Sequence, residues 1–260
     1  MKLGFMSSVC PKQNLAELIA TAHQHGYLGI EFRTEWNHLH GIELTAGKAD
    51  LKAARKLLAA EGIAATSLAT GVKFNSPDRA EHLPQREALH KYIALAAEVG
   101  APYIRTFSDS VPEDDVQARE AVLALAAESY ASVCEWAKQH GIEVLVETHT
   151  NMRAHWAKHI LDLAQCPNIQ VLWHIGHHLR RGQSVDEAYP YIRANVRHLH
   201  FHVKADDPYT TDADNLRSFQ LLAADGYKGY FSVEDINPPD SEATLRHHKA
   251  KFDEFMQALR

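Results

Sequence analysis

The sequence predicts an α/β protein, a single (β/α)8 TIM barrel domain over residues 1–260, on three observations. Short apolar runs of strand length alternate along the whole chain with amphipathic stretches of helix length, the pattern of consecutive β-α units around a parallel sheet. Glycines recur at about the length of one such unit, and 260 residues is close to what eight units require.

Taken in order, the strands are read at Leu3–Ser7, Gly29–Arg33, Ala64–Leu68, Tyr103–Phe107, Glu143–Thr148, Gln170–His174, Val196–Lys204 and Tyr230–Asp235, with a helix expected after each. Helix ends are marked by Gly26 in HQHGY, Gly62 in AEGI, Gly100 in EVGAP, Gly141 in QHGIE and Gly226 in ADGY, since glycine accepts the left-handed cap conformation. The first four lie 36, 38 and 41 residues apart. Apolar positions recur at helical spacing in Leu15, Leu18, Ile19 and Ala22, and again in Leu51, Ala54, Leu57 and Leu58. The rival arrangement, an open doubly wound sheet, lacks support because no Gly-x-Gly-x-x-Gly or Gly-x-x-x-x-Gly-Lys loop follows an early strand.

The composition excludes several function classes. A net charge of −6, from 27 Lys and Arg against 33 Asp and Glu, argues against a surface built for nucleic acid or anionic lipid. Cys10, Cys134 and Cys166 are too few and too scattered for a disulfide framework, which suits a reducing compartment. The start MKLGFMSSVC shows neither a signal peptide nor a membrane span, so a soluble cytoplasmic protein is expected.

In such a barrel the active site lies at the carboxyl ends of the strands, so the polar residues that close each apolar run carry the functional signal. Strand five closes with Glu147 and His149, and strand six with His174 followed by His177 and His178. Strand seven offers His200, His202 and Lys204 on one face, and strand eight offers Glu234. Glu147, His174, His202 and Glu234 would place two carboxylates and two imidazoles around one divalent ion. That mixed set suits Mn, Co, Zn, Ni or Fe better than Mg. Most of the 18 histidines cannot be ligands; His23, His25, His82, His90, His159, His247 and His248 fall on helices or loops and are expected to be solvated. Two carboxylates ending buried strands are harder to account for without a cation between them.

The segments GIEFR, VETH, WHIGH, HFHVKAD and DGYKGYFSVED together resemble the sugar isomerase and epimerase family of xylose-isomerase-like barrels, nearly end to end. That family includes ketose 3-epimerases, hydroxypyruvate isomerases and inosose dehydratases. The resemblance implies metal ligands at Glu147, His174, His202 and Glu234, with Glu147 and Glu234 as the acid and base of proton transfer next to a carbonyl, through a metal-stabilised enediolate. It implies substrate contact by His177. Where the family has Asp followed three residues later by His, this chain has His174 and His177, which removes a negative charge and leaves the role of His174 open. Lys204, His149, Arg105, Arg33 and Glu31 are candidates for binding substrate hydroxyls or a carboxylate.

The expected activity is therefore a metal-dependent isomerase or epimerase of a keto sugar or sugar acid, with a metal-dependent dehydratase as the alternative. An apurinic endonuclease would need metal ligands from strands three and four, which close in TSLAT and IRTFSD without histidine. A non-catalytic binding barrel is the remaining class. The expected partner is a small sugar-like molecule, with no nucleic acid and no membrane; Trp36 and Trp156 leave a homo-oligomer or a lid open. Substrate choice is expected from the loops Gly71–Pro84 and Ser108–Asp115.

Overall fold

Eight parallel strands close into a barrel in chain order, each hydrogen-bonded to the next and the last to the first. They are β1 (Lys2–Met6), β2 (Gly29–Arg33), β3 (Ala64–Lys73), β4 (Tyr103–Phe107), β5 (Glu143–Glu147), β6 (Ile169–His174), β7 (Val196–Phe201) and β8 (Tyr230–Val233). The helices between and after them are α1 (Leu15–His25), α2 (Lys48–Ala60), α3 (Arg79–Val99), α4 (Val116–Ser132), α5 (Cys134–His140), α6 (Ala154–Ala164), α7 (Ile175–Leu179), α8 (Val185–Ile192), α9 (Asp212–Ala224) and α10 (Ser241–Gln257). This computed structural model describes residues 1–204 and 207–260; the last two residues of the HFHVKAD segment lie outside the described residues. Among the described residues no helix is long and apolar enough to cross a membrane.

The five glycines expected to end helices all take positive φ, from +66° at Gly141 to +85° at Gly100. Helix starts follow from side chains that satisfy the first free N–H groups: Asn14 with Glu17, Ser184 with Glu187 and Thr211 with Asp214 form reciprocal capping boxes. Three expectations shift. Strand β7 stops at Phe201 rather than Lys204, β3 runs on to Lys73, and α3 begins at Arg79 and includes Pro84, so only part of Gly71–Pro84 is loop. Leu57 is 36% exposed rather than part of the buried stripe.

Strand alternation divides the protein into two interiors. Ile30, Phe32, Val144, Val146, Val171, Trp173, Leu199, Phe201, Phe231 and Val233 join the apolar layer between sheet and helices. The intervening side chains turn toward the barrel axis, and among them are Glu31, Arg33, Arg105, Glu147, His174, His198 and His200, all buried. A barrel filled this way stores its charge in the centre. At its lower end Gly29 is required by close approach: a Cβ there would lie 2.4 Å from Thr66 Cγ2 and 2.9 Å from Tyr230 Cε1. Gly29→Ala is expected to destabilise by about 1–3 kcal/mol through overpacking, measured as a lower denaturation midpoint in urea.

Cys134 and Cys166 form a disulfide with Cα atoms 5.9 Å apart, a pairing not expected from cysteines separated by 32 residues. The β-α unit between them returns the chain alongside α5. Cys10 is buried and free.

Two histidines expected to be solvated are buried instead, His82 and His248. His82 sits between Ser129 Oγ (2.6 Å) and the Ser76 carbonyl (3.0 Å). His248 Nε2 accepts the Val203 N–H (3.2 Å) while its Nδ1–H donates to the Thr244 carbonyl (2.8 Å). The same neutral arrangement recurs at His40, whose Nδ1 accepts from Ile42 N–H (3.0 Å) and whose Nε2–H donates to Arg33 O (2.9 Å). At His178, Nε2 accepts from Trp173 Nε1–H (2.9 Å) and Nδ1–H donates to Gln183 O (2.7 Å). Burial lowers the pKa of His40, His178 and His248 to about 4. Between pH 6.5 and 4 the unfolded chain binds protons that these rings refuse, so stability falls as pH drops through that window and levels off below it for these groups. Each ring accounts for up to roughly 3 kcal/mol. Unfolding free energy measured from pH 7 to pH 4 is expected to fall steeply; a flat profile would contradict the neutral tautomers.

Candidate metal centre

The carboxyl ends of β5 to β8 converge. Glu147, His174, His200 and Glu234 each offer one ligand atom, and these atoms all lie within 4.8 Å of one another. The sequence reading expected Glu147, His174 and Glu234 in such a group but chose His202 as its fourth member; the structure brings in His200. Register explains the difference. His174 on β6 is level with His200 on β7, after a shift between Val171 and Leu172 that chain spacing does not reveal. His202 lies one inward-facing position higher, donates Nδ1–H to the backbone carbonyl of Glu234 (2.9 Å), and faces the cavity above.

His200 is the hub. Its Nδ1–H donates to Glu147 Oε1 (2.8 Å) and lies 3.2 Å from Glu234 Oε2, while its Nε2–H donates to Glu31 Oε1 (3.2 Å). Burial opposes charge on this ring, but Glu234, Glu147 and Glu31 together raise its pKa well above the ordinary value. The carboxylates respond in kind: burial pushes Glu147 and Glu234 up, and His200 outweighs it, joined by Arg105 at Glu147 and by His174 at Glu234, so both pKa values fall. Glu31, expected to touch substrate, is instead fully buried below the cluster, accepting from His198 Nε2–H (3.0 Å) as well as His200. Its pKa is likewise held down, with burial outweighed by His200 and His198.

His174 Nε2 stands 3.2 Å from Glu234 Oε2, and its Nδ1 finds no hydrogen-bond partner among the described residues. Glu147 Oε2 is also without one; Arg105 Nη1 is 3.5 Å away but off the hydrogen-bond geometry. Glu147 Oε2 is thus an orphaned acceptor inside a group of two carboxylates and two imidazoles, a donor set that suits a transition-metal ion. The residues present therefore fit such an ion.

Above the cluster opens a cavity of about 370 Å³ lined by His149, His174, His177, Arg180, His202, Lys204, Glu234, Asp235 and Ile236. His177 stacks on His174 with ring centres 3.9 Å apart, and burial together with the neighbouring His174 and His149 keeps its pKa down. His149 donates Nδ1–H to Asp109 Oδ1 (2.9 Å) and packs on Phe107. Burial works against charge on His149, but Asp109 and Glu147 raise its pKa overall. Lys204 is 46% exposed and reaches Asp235 at 3.6 Å, and Arg180 pairs with Asp207 at 2.7 Å. Asp109, Asp235 and Arg180 were not singled out from the sequence, because nothing in their local patterns separates them from ordinary loop charges. Arg33 and Arg105 sit beside the cluster rather than in the cavity wall, each with its guanidinium 4.0 Å from an aromatic ring, Trp36 and Phe107 respectively. A larger cleft of about 630 Å³ opens at the other end of the barrel, lined by Lys2, Arg55, Tyr103, Lys228 and Tyr230 among others, and none of its lining residues belongs to the cluster.

The sequence of residues 19–255 matches the family described as xylose isomerase-like TIM barrel. The chain belongs to that family. No curated protein matches it in sequence. Solved xylose isomerase-like barrels share its architecture at low identity. An L-ribulose 3-epimerase is 17% identical with a TM-score of 0.80, covering 100% of this chain and 95% of its own. A zinc-bound IolI protein is 17% identical with a TM-score of 0.79, covering 100% and 99%. A probable 3-DHS dehydratase, AsbF from Bacillus anthracis, is 16% identical with a TM-score of 0.76, covering 97% and 99%. These likenesses establish the fold.

Proposed function

We propose that Glu147, His174, His200 and Glu234 hold one divalent transition-metal ion, and that the protein isomerises or epimerises a small keto sugar or sugar acid by moving a proton next to its carbonyl. The observation that carries this reading is the meeting of two carboxylates and two imidazoles within 4.8 Å at the strand ends. When bound, the ion would polarise the substrate oxygens and stabilise the enediolate. Glu147 and Glu234 approach from β5 and from the end of β8, and both are held ionised, the state in which a carboxylate removes a proton. Glu234 keeps 17% of its side chain exposed and lines the cavity, whereas Glu147 is enclosed behind it. His149, His177, His202 and Lys204 line a space in the range that takes a small molecule. The zinc in the IolI structure and the epimerase and dehydratase relatives on the same fold support this reading without deciding the substrate.

A dehydratase reading is favoured by one feature. His149, with its pKa raised beside Asp109, sits in the cavity wall where it could protonate a departing hydroxyl. Incubation with ketoses and inososes in deuterated water, followed by NMR, separates the two: deuterium exchange with a new epimer or isomer marks the first, loss of a hydroxyl the second. Metal analysis tests the site itself. Wild type and His202→Ala are expected to hold about one transition-metal ion per chain by the donor-set argument, and His200→Ala to lose most of it. The opposite pattern would return the ligand role to His202.

A further inference from the structure

The cleft of about 630 Å³ at the other end of the barrel carries three cations, Lys2, Arg55 and Lys228, and no carboxylate lines it. In a chain with a net charge of −6 this is a local reversal of sign. The cations arrive from three separate segments: the start of β1, the second half of α2, and the turn between α9 and β8. All three are exposed, so their long side chains are free to turn toward a ligand. None of them forms an ion pair among the described residues. Glu143, the acid that acts on Tyr103 in the wall, is taken up by Arg197 at 3.3 Å.

Two helix ends count against these charges. The carboxyl ends of α2 and α3 border the cleft, and Arg55 donates Nη1–H to the Ala97 carbonyl in the last turn of α3 (3.2 Å). Each helix end is equivalent to about half a negative charge, so about two positive charges remain uncompensated. A cleft of one sign with low-dielectric walls focuses its field on whatever enters it.

The walls supply the second half of the recognition. Leu58, Ile63 and Val99 are apolar, and two tyrosines, Tyr103 and Tyr230, lie beside them. The Tyr230 ring fits over Gly4 and Gly29, where a Cβ would come within 3.5 Å and 2.9 Å of it. Its hydroxyl donates to the Leu28 carbonyl (3.3 Å), and Lys2 Nζ stands 5.2 Å from the ring centre. The ring is therefore held as a fixed aromatic surface next to a cation.

We propose that this cleft is a second ligand site, separate from the metal centre, for a small organic diphosphate carried on an apolar ring, the chemistry of a nucleoside diphosphate. Its volume lies in the range that takes a small molecule. A carboxylate presents two oxygens in one plane, whereas a diphosphate presents oxygens on several sides, which suits cations from three segments. The ring body covers the tyrosines and the apolar wall.

Three probes separate the parts, each titrated by calorimetry into the full chain: ADP with both, pyrophosphate with the charge alone, adenosine with the ring alone. ADP is expected to bind at least about 10-fold more tightly than either of the others, the order of one charge-assisted contact. Its affinity is expected to fall as salt is raised. The double variant Lys2→Gln, Lys228→Gln and the single variant Arg55→Gln are each expected to weaken ADP by about 10-fold, and these exposed positions leave the fold intact. Glu147→Gln, in the cluster at the opposite end, is expected to bind ADP as wild type does, which separates this site from phosphate capture by a bound metal ion. Absence of ADP binding, pyrophosphate or adenosine binding as tight as ADP, full affinity in the cation variants, or loss of ADP binding in Glu147→Gln would each overturn the inference. None of these results bears on the metal centre, whose test is its metal content.

Discussion

Glu147→Gln is expected to slow substrate proton exchange by about 10³-fold, within the 10²–10⁴ range of positioned acid-base groups, and to strip most of the metal from the protein. The amide keeps the size of the carboxylate and can still accept from His200, but it carries no charge and places an N–H₂ near Arg105, 3.5 Å from the present Oε2. Arg105 and Arg33 then face a cluster that has lost one of its two carboxylates, and a cation is repelled from the site it should occupy. Glu234→Gln is expected to behave alike, because Glu234 Oε2 stands 3.2 Å from both His174 and His200. Elemental analysis by mass spectrometry and deuterium exchange by NMR read the two effects separately. Full metal content in both variants would falsify the ligand assignment.

Glu31→Gln carries the second large effect, at a residue with no surface exposure. Glu31 binds His198 and His200 through separate oxygens and so fixes which ring nitrogen of His200 turns toward Glu147. A histidine that donates its far N–H to a carboxylate is both oriented and made a stronger donor toward metal, and loss of such a partner typically costs 10–100-fold in affinity. Metal affinity, measured by competition with a chelator, is expected to weaken by about that factor while fold and cavity persist. An unchanged affinity would mean that His200 is positioned by Glu147 and Glu234 alone. The ring also gives a spectroscopic signature: nitrogen-15 shifts of His200 should report its two nitrogens as distinct in the metal-loaded wild type and less so in the variant.

The barrel was legible from the sequence because its signal is repeated. Eight apolar runs and five cap glycines each mark a local physical requirement, and all eight strands lie where the pattern predicts, with boundary changes of a few residues at most except at β3. Function was less legible, for a reason visible on β7. In HLHFH the inward face is readable by alternation, so His198, His200 and His202 form one set, but their height along the barrel axis is not. Glu31 illustrates the same gap from the other side of the barrel, since an acid near the end of a strand reads as substrate-facing until the depth of that strand is known. The disulfide between Cys134 and Cys166 and the burial of His82 and His248 also depend on which distant segments meet.

By itself the sequence determined the periodicity of the chain, hence the barrel, and named three of the four residues that meet in the cluster. These follow from local rules of burial and capping that each segment obeys alone. Only the tertiary structure decided which histidine of β7 joins Glu147, His174 and Glu234, that Glu31 supports the cluster from beneath, and that Arg33 and Arg105 stand level across Ala69. Relative height in a closed barrel is set by strand register and its irregularities, such as those between Ile30 and Glu31 and between Val171 and Leu172. Register is a property of paired strands, fixed when the whole sheet closes.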